Sequence, residues 1–196
     1  ERALFICSKS MNIKLPEGND CVVTVREAIS DLAYLDSAEG NFEQEYVTEA
    51  QSEYQKMMRD GSGCLYNHKA SVHSELVLKK LAMIPPEKGK ECLPEELRGR
   101  QKFNTTWGRL IWNNVSPTID TRFDTPSNGT NSHPELNRAI TPREAARIQS
   151  FDDKFIFYGS KFYIRSQIGN AVPPLLAKAI ADRIWEMYSN EHESYI

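Results

Sequence analysis

The 196-residue chain is long enough to bury one sizeable core, or one core with a small appended domain. Its 40% hydrophobic and 26% charged residues are typical of a soluble globular protein. No apolar run approaches the roughly 18 residues that a membrane span needs, and the first residues lack a signal-peptide pattern. We therefore predict an intracellular protein, cytoplasmic in a bacterium or nuclear in a eukaryote.

The four cysteines are scattered along the chain, at Cys7, Cys21, Cys64 and Cys92. None belongs to a Cys-x-x-Cys pair, so their spacing matches neither a zinc framework nor a compact disulfide scaffold. Reduced thiols are the expected state. The spacing of the histidines also differs from that of zinc ligands on one helical face, and we predict no metal.

The net charge of −3 is unevenly distributed along the chain. Residues 26–60 contain nine acidic and three basic side chains, whereas residues 66–122 contain six acidic and ten basic ones. Residues 137–165 contain three acidic and six basic side chains. Because phosphate contacts depend on local positive potential, a polyanionic partner would bind at the two basic blocks.

The first part of the chain contains two clear local patterns. An apolar run at residues 2–8 is typical of a short buried strand. Thr24 and Glu27 form a capping-box pattern that predicts a helix over residues 24–38. The acidic residues 39–60 fit either a solvated helix or a mobile insertion. The later patterns predict a helix at 73–82, a loop at 85–106, one or two short strands at 109–121 and a loop at 124–134.

Two helices near the end have the strongest local signals. Thr141-Pro142-Arg143-Glu144 is a second capping box, with proline at the first helical position. A final helix is predicted from Pro174 to about Ser189. Its apolar face consists of Leu176, Ile180, Ile184 and Met187, which would cover a sheet in a larger core and would face water without it.

Four motif segments follow one another in the second half of the chain. They are Gly108-Arg-Leu with Pro117-Thr-Ile-Asp-Thr, His133-Pro134 with Arg138-Ala-Ile-Thr-Pro-Arg-Glu-Ala-Ala-Arg-Ile-Gln-Ser-Phe, Phe155-Ile-Phe-Tyr-Gly-Ser, and Gln167-Ile-Gly-Asn-Ala-Val-Pro-Pro. Singly, each is explained by an ordinary turn or helix start. In this order they closely resemble the ninth and tenth motifs of the DNA cytosine-5 methyltransferases, preceded by the end of their target-recognition domain. Residues 2–7 resemble the end of the eighth motif.

The resemblance implies an α/β fold. The chain would be the C-terminal portion of a doubly wound S-adenosylmethionine-dependent methyltransferase core, with an inserted small target-recognition domain of short strands, helices and long loops. Residues 1–24 would end the catalytic core, and residues 25–132 would form the target-recognition domain. Residues 133–196 would contain the ninth and tenth motifs and return to the core.

The resemblance also implies a reaction, in which a methyl group passes from S-adenosyl-L-methionine to C5 of a cytosine flipped out of double-stranded DNA. The family's nucleophile lies in a Pro-Cys pair and its activating carboxylate in Glu-Asn-Val, and neither pattern occurs here. We therefore expect an N-terminal catalytic half, in the same or a separate chain, and expect this segment alone to be inactive. The alternatives are a non-catalytic DNA-specificity subunit and a catalytically inactive regulatory homologue.

Several residues match functional positions of the family. Arg2 matches the eighth-motif arginine that helps to hold the flipped cytosine, although a strand-end ion pair would also explain it. Asn170, Ala171 and Val172 match the segment that lines the cofactor, although they would also suit a helix-entry turn. The expected DNA-binding residues are Thr118, Thr121 and the basic candidates Arg98, Arg100, Lys102, Arg109 and Arg122. Arg143, Glu144 and Arg147 are expected to organise the junction between core and target domain.

Overall fold

The computed structural model describes residues 5–7, 9, 13–18, 21–99 and 103–193. The chain divides into two compact units. The larger unit is Val22–Ala171, and the smaller one combines Glu1–Cys21 with Val172–Ile196. This division differs from the predicted domain boundaries, because residues 133–171 share one hydrophobic core with the segment that begins at Val25.

The regular elements of the larger unit are mainly helices, and most of its other described residues lie in turns and loops. Its described residues form α1 (Val25–Ile29), β1 (Glu43–Gln44), α2 (Glu53–Arg59), β2 (Leu65–Tyr66), α3 (Glu75–Met83), α4 (Glu95–Arg98), α5 (Pro142–Ile148) and α6 (Lys161–Asn170). Short 3₁₀ turns lie at Ser30–Leu32, Lys90–Cys92 and Pro126–Asn128. Strands β1 and β2 are antiparallel, with Glu43 opposite Tyr66 and Gln44 opposite Leu65.

Both predicted capping boxes are confirmed. The Thr24 hydroxyl accepts from the backbone N–H of Glu27, and the Glu27 carboxylate accepts from that of Thr24. The same reciprocal pair joins Thr141 and Glu144 at the start of α5. Each box satisfies backbone donors that the first helical turn otherwise leaves without partners.

Three sequence expectations within the larger unit need correction. The helix predicted over residues 24–38 ends at Ile29, after which a 3₁₀ turn directs Asp31 inward. Residues 109–121, predicted as one or two short strands, form only the single bridge from Arg109 to Ser132. The carbonyls of Trp112 and Asn114 instead accept from the first two N–H groups of α1. Helix α6 was not predicted, because its apolar residues show little helical periodicity. The acidic residues 39–60, which fitted either a helix or a mobile insertion, form β1 and α2.

The main core lies where α1, α5 and α6 meet the chain between Leu110 and Phe123. Its buried side chains include Ile29 and Leu110, which are 0% exposed. A smaller cluster, formed by Leu81, Ile84, Leu93 and Trp107, lies beneath α3. The core therefore joins residues from the predicted target domain to residues of the predicted ninth motif.

Helix α5 contributes two fully buried arginines to the core, and Arg138 lies just before it. The Arg138 guanidinium forms a two-pronged pair with Glu144 at 2.7 Å and 2.7 Å. Arg143 donates to the backbone carbonyls of Tyr66, Asp152 and Phe155. The planar guanidinium can satisfy several acceptors in fixed directions, which a lysine ammonium cannot do in the same way.

Arg147 lies at the centre of a second buried network. It donates to both carboxylate oxygens of Asp153, at 2.7 Å and 2.6 Å, and to Asp31 at 3.1 Å. Burial alone would lower the pKa of the guanidinium, but Asp153 and Asp31 together raise it. Arg143, Glu144 and Arg147 are all buried, so the basic block 137–165 has fewer cations for a polyanion than its sequence suggests.

The smaller unit contains α7 (Pro174–Glu193), which confirms the predicted final helix. Its predicted apolar face is only partly covered: Leu176 is 42% exposed, and Ile180 and Ile184 are half-buried. Trp185 is 70% exposed. Across the described residues, none of the helices has both the length and the apolar character needed to cross a membrane.

The prediction of a buried strand at the start of the chain is wrong for the residues that are described. Phe5 is 89% exposed, Cys7 is exposed, and residues 5–7 adopt no regular strand. A strand needs the backbone of a neighbour to pair with. The described residues of the smaller unit provide no such neighbour.

The buried His133 should make stability depend on pH. Its Nδ1 accepts from the backbone N–H groups of Glu135 and Leu136, and burial lowers its pKa to about 3 from 6.5. In the unfolded chain His133 binds a proton near pH 6.5, whereas in the folded chain it stays neutral until the pH approaches 3. The free energy of unfolding should therefore decrease as pH falls from 6.5 towards 3, by about 1.4 kcal/mol per pH unit for this group.

Chemical denaturation at several pH values checks this expectation. His133→Asn keeps an acceptor near the Nδ1 position but cannot titrate, so its stability should fall less steeply between pH 6 and pH 4.5. His68, whose pKa burial also lowers, and the carboxylates are unchanged in the variant and provide the baseline. Identical slopes for the two proteins would contradict the assignment.

Candidate functional site

The segment Pro117–Arg122, here called the 117–122 loop, carries three of the predicted DNA-binding residues. Thr118 and Arg122 are exposed, and Thr121 is half-buried. Ile119 is only 4% exposed and belongs to the main core. The loop is therefore anchored by one apolar side chain while its hydroxyl and guanidinium groups face outward.

The last turn of α6 contacts the backbone of this loop. A Cβ atom placed on Gly169 would lie 2.6 Å from the carbonyl carbon of Asp120 and 2.6 Å from the backbone nitrogen of Thr121. No side chain fits in this space. The loop is consequently held directly against the residue that precedes Asn170.

The other end of α6 is joined to the same stretch of chain through ion pairs. Asp124, only 4% exposed, accepts from Lys161 at 2.8 Å and from Arg165 at 2.7 Å. Burial alone would raise the pKa of the Asp124 carboxyl, but its hydrogen bonds with Lys161 and Arg165 lower it. The carboxylate therefore stays charged at neutral pH and keeps both cations in place.

The predicted cofactor-binding residues lie at the end of α6 and just beyond it. Asn170 is the exposed last residue of the helix, and Ala171 packs against the main core. Val172, the first residue of the smaller unit's second segment, is 43% exposed. The preceding turn is held by Gln149, whose amide donates to the carbonyl of Ile168 at 2.5 Å.

The basic candidates have different surroundings. Arg122 is exposed, and its guanidinium donates to the side-chain oxygen of Asn128 over a long distance of 3.5 Å. Arg98 is exposed, but it donates to the carbonyls of Leu93 and Glu91 and so joins α4 to the chain that precedes it. Three predicted site residues lie outside the described residues: Arg2, Arg100 and Lys102.

Arg109 contradicts the prediction that it contacts DNA. It is only 3% exposed, and its guanidinium donates to the carbonyls of Leu81, Ile84, His133 and Leu136 and to the side-chain oxygen of Asn137. All of its donor groups are used within the protein, so a base edge has neither access nor a free donor. Arg109 is a structural residue that joins α3 to the chain around His133.

A cavity of about 330 Å³ lies beside α6 in the larger unit. Its walls are mostly apolar, and its charged residues are Lys69, Asp124, Lys161 and Arg165. None of the predicted site residues lines this cavity. The candidate site is therefore the exposed 117–122 loop with the end of α6, and not the cavity.

Sequence reasoning missed the residues that hold this site together. Gly169, Asp124 and Gln149 carry no pattern that marks a distant contact. One signal was available for α6, because Lys161, Arg165 and Gly169 are spaced four residues apart and so share one helical face. Among the described residues, no group of histidine, cysteine and carboxylate side chains could hold a metal ion.

Comparison with known proteins follows the motifs closely. The family model for C-5 cytosine-specific DNA methylases matches residues 6–186. Over 185 residues the chain is 38% identical to Type II methyltransferase M.DdeI from Desulfomicrobium norvegicum, which covers 85% of this chain and 44% of that protein. Over 187 residues it is 32% identical to DNA (cytosine-5)-methyltransferase 2 from Arabidopsis thaliana, which covers 84% of this chain and 12% of that protein.

A solved structure of a DNA modification methyltransferase from an Escherichia coli prophage superposes with a TM-score of 0.62 at 22% identity. The match covers 85% of this chain and 47% of that one. It confirms the predicted fold class, an α/β methyltransferase fold. The chain spans less than half the length of each of these three proteins. The family model, which matches most of the chain, and the identity to M.DdeI show that the chain belongs to the C-5 cytosine-specific DNA methylase family.

Proposed function

We propose that this chain is the DNA-reading and closing segment of a DNA cytosine-5 methyltransferase that acts on double-stranded DNA with S-adenosylmethionine. The enzyme flips a cytosine out of the duplex and methylates its C5 atom. The observation that carries the proposal is the contact of the 117–122 loop with Gly169, beside Asn170. Through it, one compact unit carries both the residues expected to contact DNA and Asn170 of the segment expected to contact the cofactor.

The 117–122 loop has the properties of a backbone-contacting segment. The Thr118 hydroxyl is exposed and can donate to a phosphate oxygen, and the Arg122 guanidinium can pair with a phosphate. The buried Ile119 fixes the loop, so little ordering is needed on binding. Phosphate contacts of this kind position the duplex, and base edges would be read by other residues, for which Arg98, Arg100 and Lys102 are the proposed candidates.

The residues at the end of α6 are suited to the polar and apolar parts of the methyl donor. The exposed Asn170 amide offers a donor and an acceptor, and the half-exposed Val172 offers an apolar contact. S-adenosylmethionine would supply an activated methyl group. In this proposal Asn170, Ala171 and Val172 hold the cofactor, and Arg2 donates to the flipped base.

The nucleophilic cysteine and the activating glutamate would come from the N-terminal half of the enzyme. Cytosine C5 is a poor nucleophile until a thiolate adds to C6 and makes the ring enamine-like. None of the four cysteines of this chain follows a proline, and Glu-Asn-Val is absent from its sequence. The segment therefore positions DNA and cofactor while the other half performs the covalent step.

We expect Asn170→Ala in the complete enzyme to weaken cofactor binding or turnover far more than DNA binding. Loss of a polar partner at the cofactor typically costs about 1–3 kcal/mol, or roughly 5-fold to 150-fold in affinity. Calorimetry with S-adenosylmethionine and steady-state turnover measure the effect. Asn41→Ala, which removes an exposed amide elsewhere in the larger unit, is the control. Unchanged cofactor affinity and turnover in Asn170→Ala would contradict the assigned role.

Thr118→Val should weaken DNA binding about 3-fold to 10-fold, since it removes one hydroxyl donor but keeps the shape of the side chain. Thr118→Ser keeps the hydroxyl and should bind as the unsubstituted enzyme does. Fluorescence anisotropy with a labelled duplex at one fixed salt concentration compares the three proteins. Equal affinities for the valine and serine variants would show that the hydroxyl makes no contact with DNA.

The chain alone should not methylate DNA, whereas the chain mixed with its catalytic half should. Alone it lacks the thiolate and carboxylate that the reaction requires, and Leu176 and Trp185 on α7 are exposed. Each apolar side chain left in water forfeits on the order of 1.5–3 kcal/mol, so we also expect the isolated chain to aggregate. A tritiated methyl-transfer assay on cytosine-rich duplex DNA tests both samples. Incorporation by the chain alone would refute the division of roles, and an inactive mixture would favour a non-catalytic subunit or homologue.

A further inference from the structure

We infer that Gly169 and Asp124 are positioning residues, which hold the 117–122 loop against α6 in the conformation that contacts DNA. This inference rests on the proposed function, because it assigns the loop to DNA and Asn170 to the cofactor. It adds a mechanical element, in which one face of α6 sets the place of the DNA-contacting loop.

Gly169 is required for its small size and not for an unusual backbone angle. It is not among the described residues with positive φ, and it lies inside α6, where glycine is the poorest helix former except proline. The added Cβ would meet three backbone atoms at 2.6 Å, namely the carbon and oxygen of Asp120 and the nitrogen of Thr121. Backbone atoms cannot rotate away as a flexible side chain can, so either the helix or the loop must shift.

The helix side of this contact is the more firmly held. Ile168 is 0% exposed in the main core, and its carbonyl accepts from the buried Gln149 amide. On the loop side, Thr118, Asp120 and Arg122 are all exposed. Within residues 117–122, Ile119 alone is buried in the main core. A side chain at position 169 should therefore displace the loop and leave the end of α6 near its place.

Asp124 holds the same stretch of chain at the start of the helix. Lys161 and Arg165 donate to its two carboxylate oxygens at 2.8 Å and 2.7 Å. Lys161, Arg165 and Gly169 are four residues apart, so they lie along one face of α6. That face contacts residues 120–124 twice, once through ion pairs and once through backbone packing.

The test is the steady-state kinetics of Gly169→Ala in the complete enzyme. We expect the KM for duplex DNA to rise about tenfold, since displacements of an ångström at a contacting segment have effects of this order or larger. The KM for S-adenosylmethionine should change less than about twofold, because the helix end stays in place. Asn170→Ala should do the opposite and affect the cofactor more than DNA. A general loss of stability would not raise the KM for DNA alone.

Gly63→Ala is the matched control, because a Cβ on Gly63 would meet no atom within 4 Å. Its kinetic constants should match those of the unsubstituted enzyme. If Gly169→Ala raised both KM values equally, or neither of them, the positioning role would be refuted. Since alanine is the better helix former, a Gly169→Ala enzyme that binds DNA normally and melts at a higher temperature would also refute it.

Asp124→Asn provides a second test that adds no volume, should Gly169→Ala fail to fold. It weakens the ion pairs with Lys161 and Arg165, so the KM for DNA should rise in the same direction by about threefold while that for the cofactor is unchanged. An unchanged KM for DNA in Asp124→Asn would overturn the inference while leaving the proposed function intact. A complete enzyme that does not methylate cytosine would overturn both the inference and the proposed function.

Discussion

The two-pronged pair of Arg138 with Glu144 supports the arrangement of the whole larger unit. Glu144 caps α5 through Thr141 and, at the same time, neutralises the arginine that also donates to the carbonyl of Leu35. Burial alone would raise the pKa of Glu144, but Arg138 lowers it, so the pair stays ionic inside the protein. Removing one partner from such a pair would leave the other charged and buried, which costs about 3–5 kcal/mol. The capping box of α5 is therefore a part of the core and not only a helix start.

For the site, the consequence is that α6 is held in place by its contacts with α5 and with the residues that follow α5. Arg147 connects α5 to Asp31 and Asp153, and Gln149, just after α5, holds the last turn of α6. Helix α6 then holds the 117–122 loop through Gly169 and Asp124. The 117–122 loop and Asn170 are thus connected to α5 by one continuous set of contacts. Sites supported in this way keep their geometry more accurately than sites on free loops.

Sequence patterns predicted the parts of this structure that depend on local chemistry. Both capping boxes are local, because Thr24 and Thr141 bond within three residues of themselves. The motif order was sufficient for the family, and the comparisons confirm it. The surroundings of Arg109 could not be read in this way, since its acceptors lie more than twenty residues away in the chain, at Leu81 and His133 among others. The same holds for Gly169, whose partner Asp120 is distant in sequence. The roles of Arg109 and Gly169 therefore could not be predicted from their residue types alone.

The buried arginines also bear on the proposed encounter of this segment with DNA. Among the described residues, the charged side chains that are buried comprise four arginines and four carboxylates, so the interior charges cancel. The net charge of −3 therefore comes from the remaining residues of the chain. This charge has the same sign as that of DNA. Because the net charge would not draw a duplex from a distance beyond a Debye length of about 8–10 Å, any attraction would come from local positive potential, at exposed cations such as Arg122. In the proposed function, the 117–122 loop would then act mainly on the dissociation rate, by holding a duplex that has already arrived.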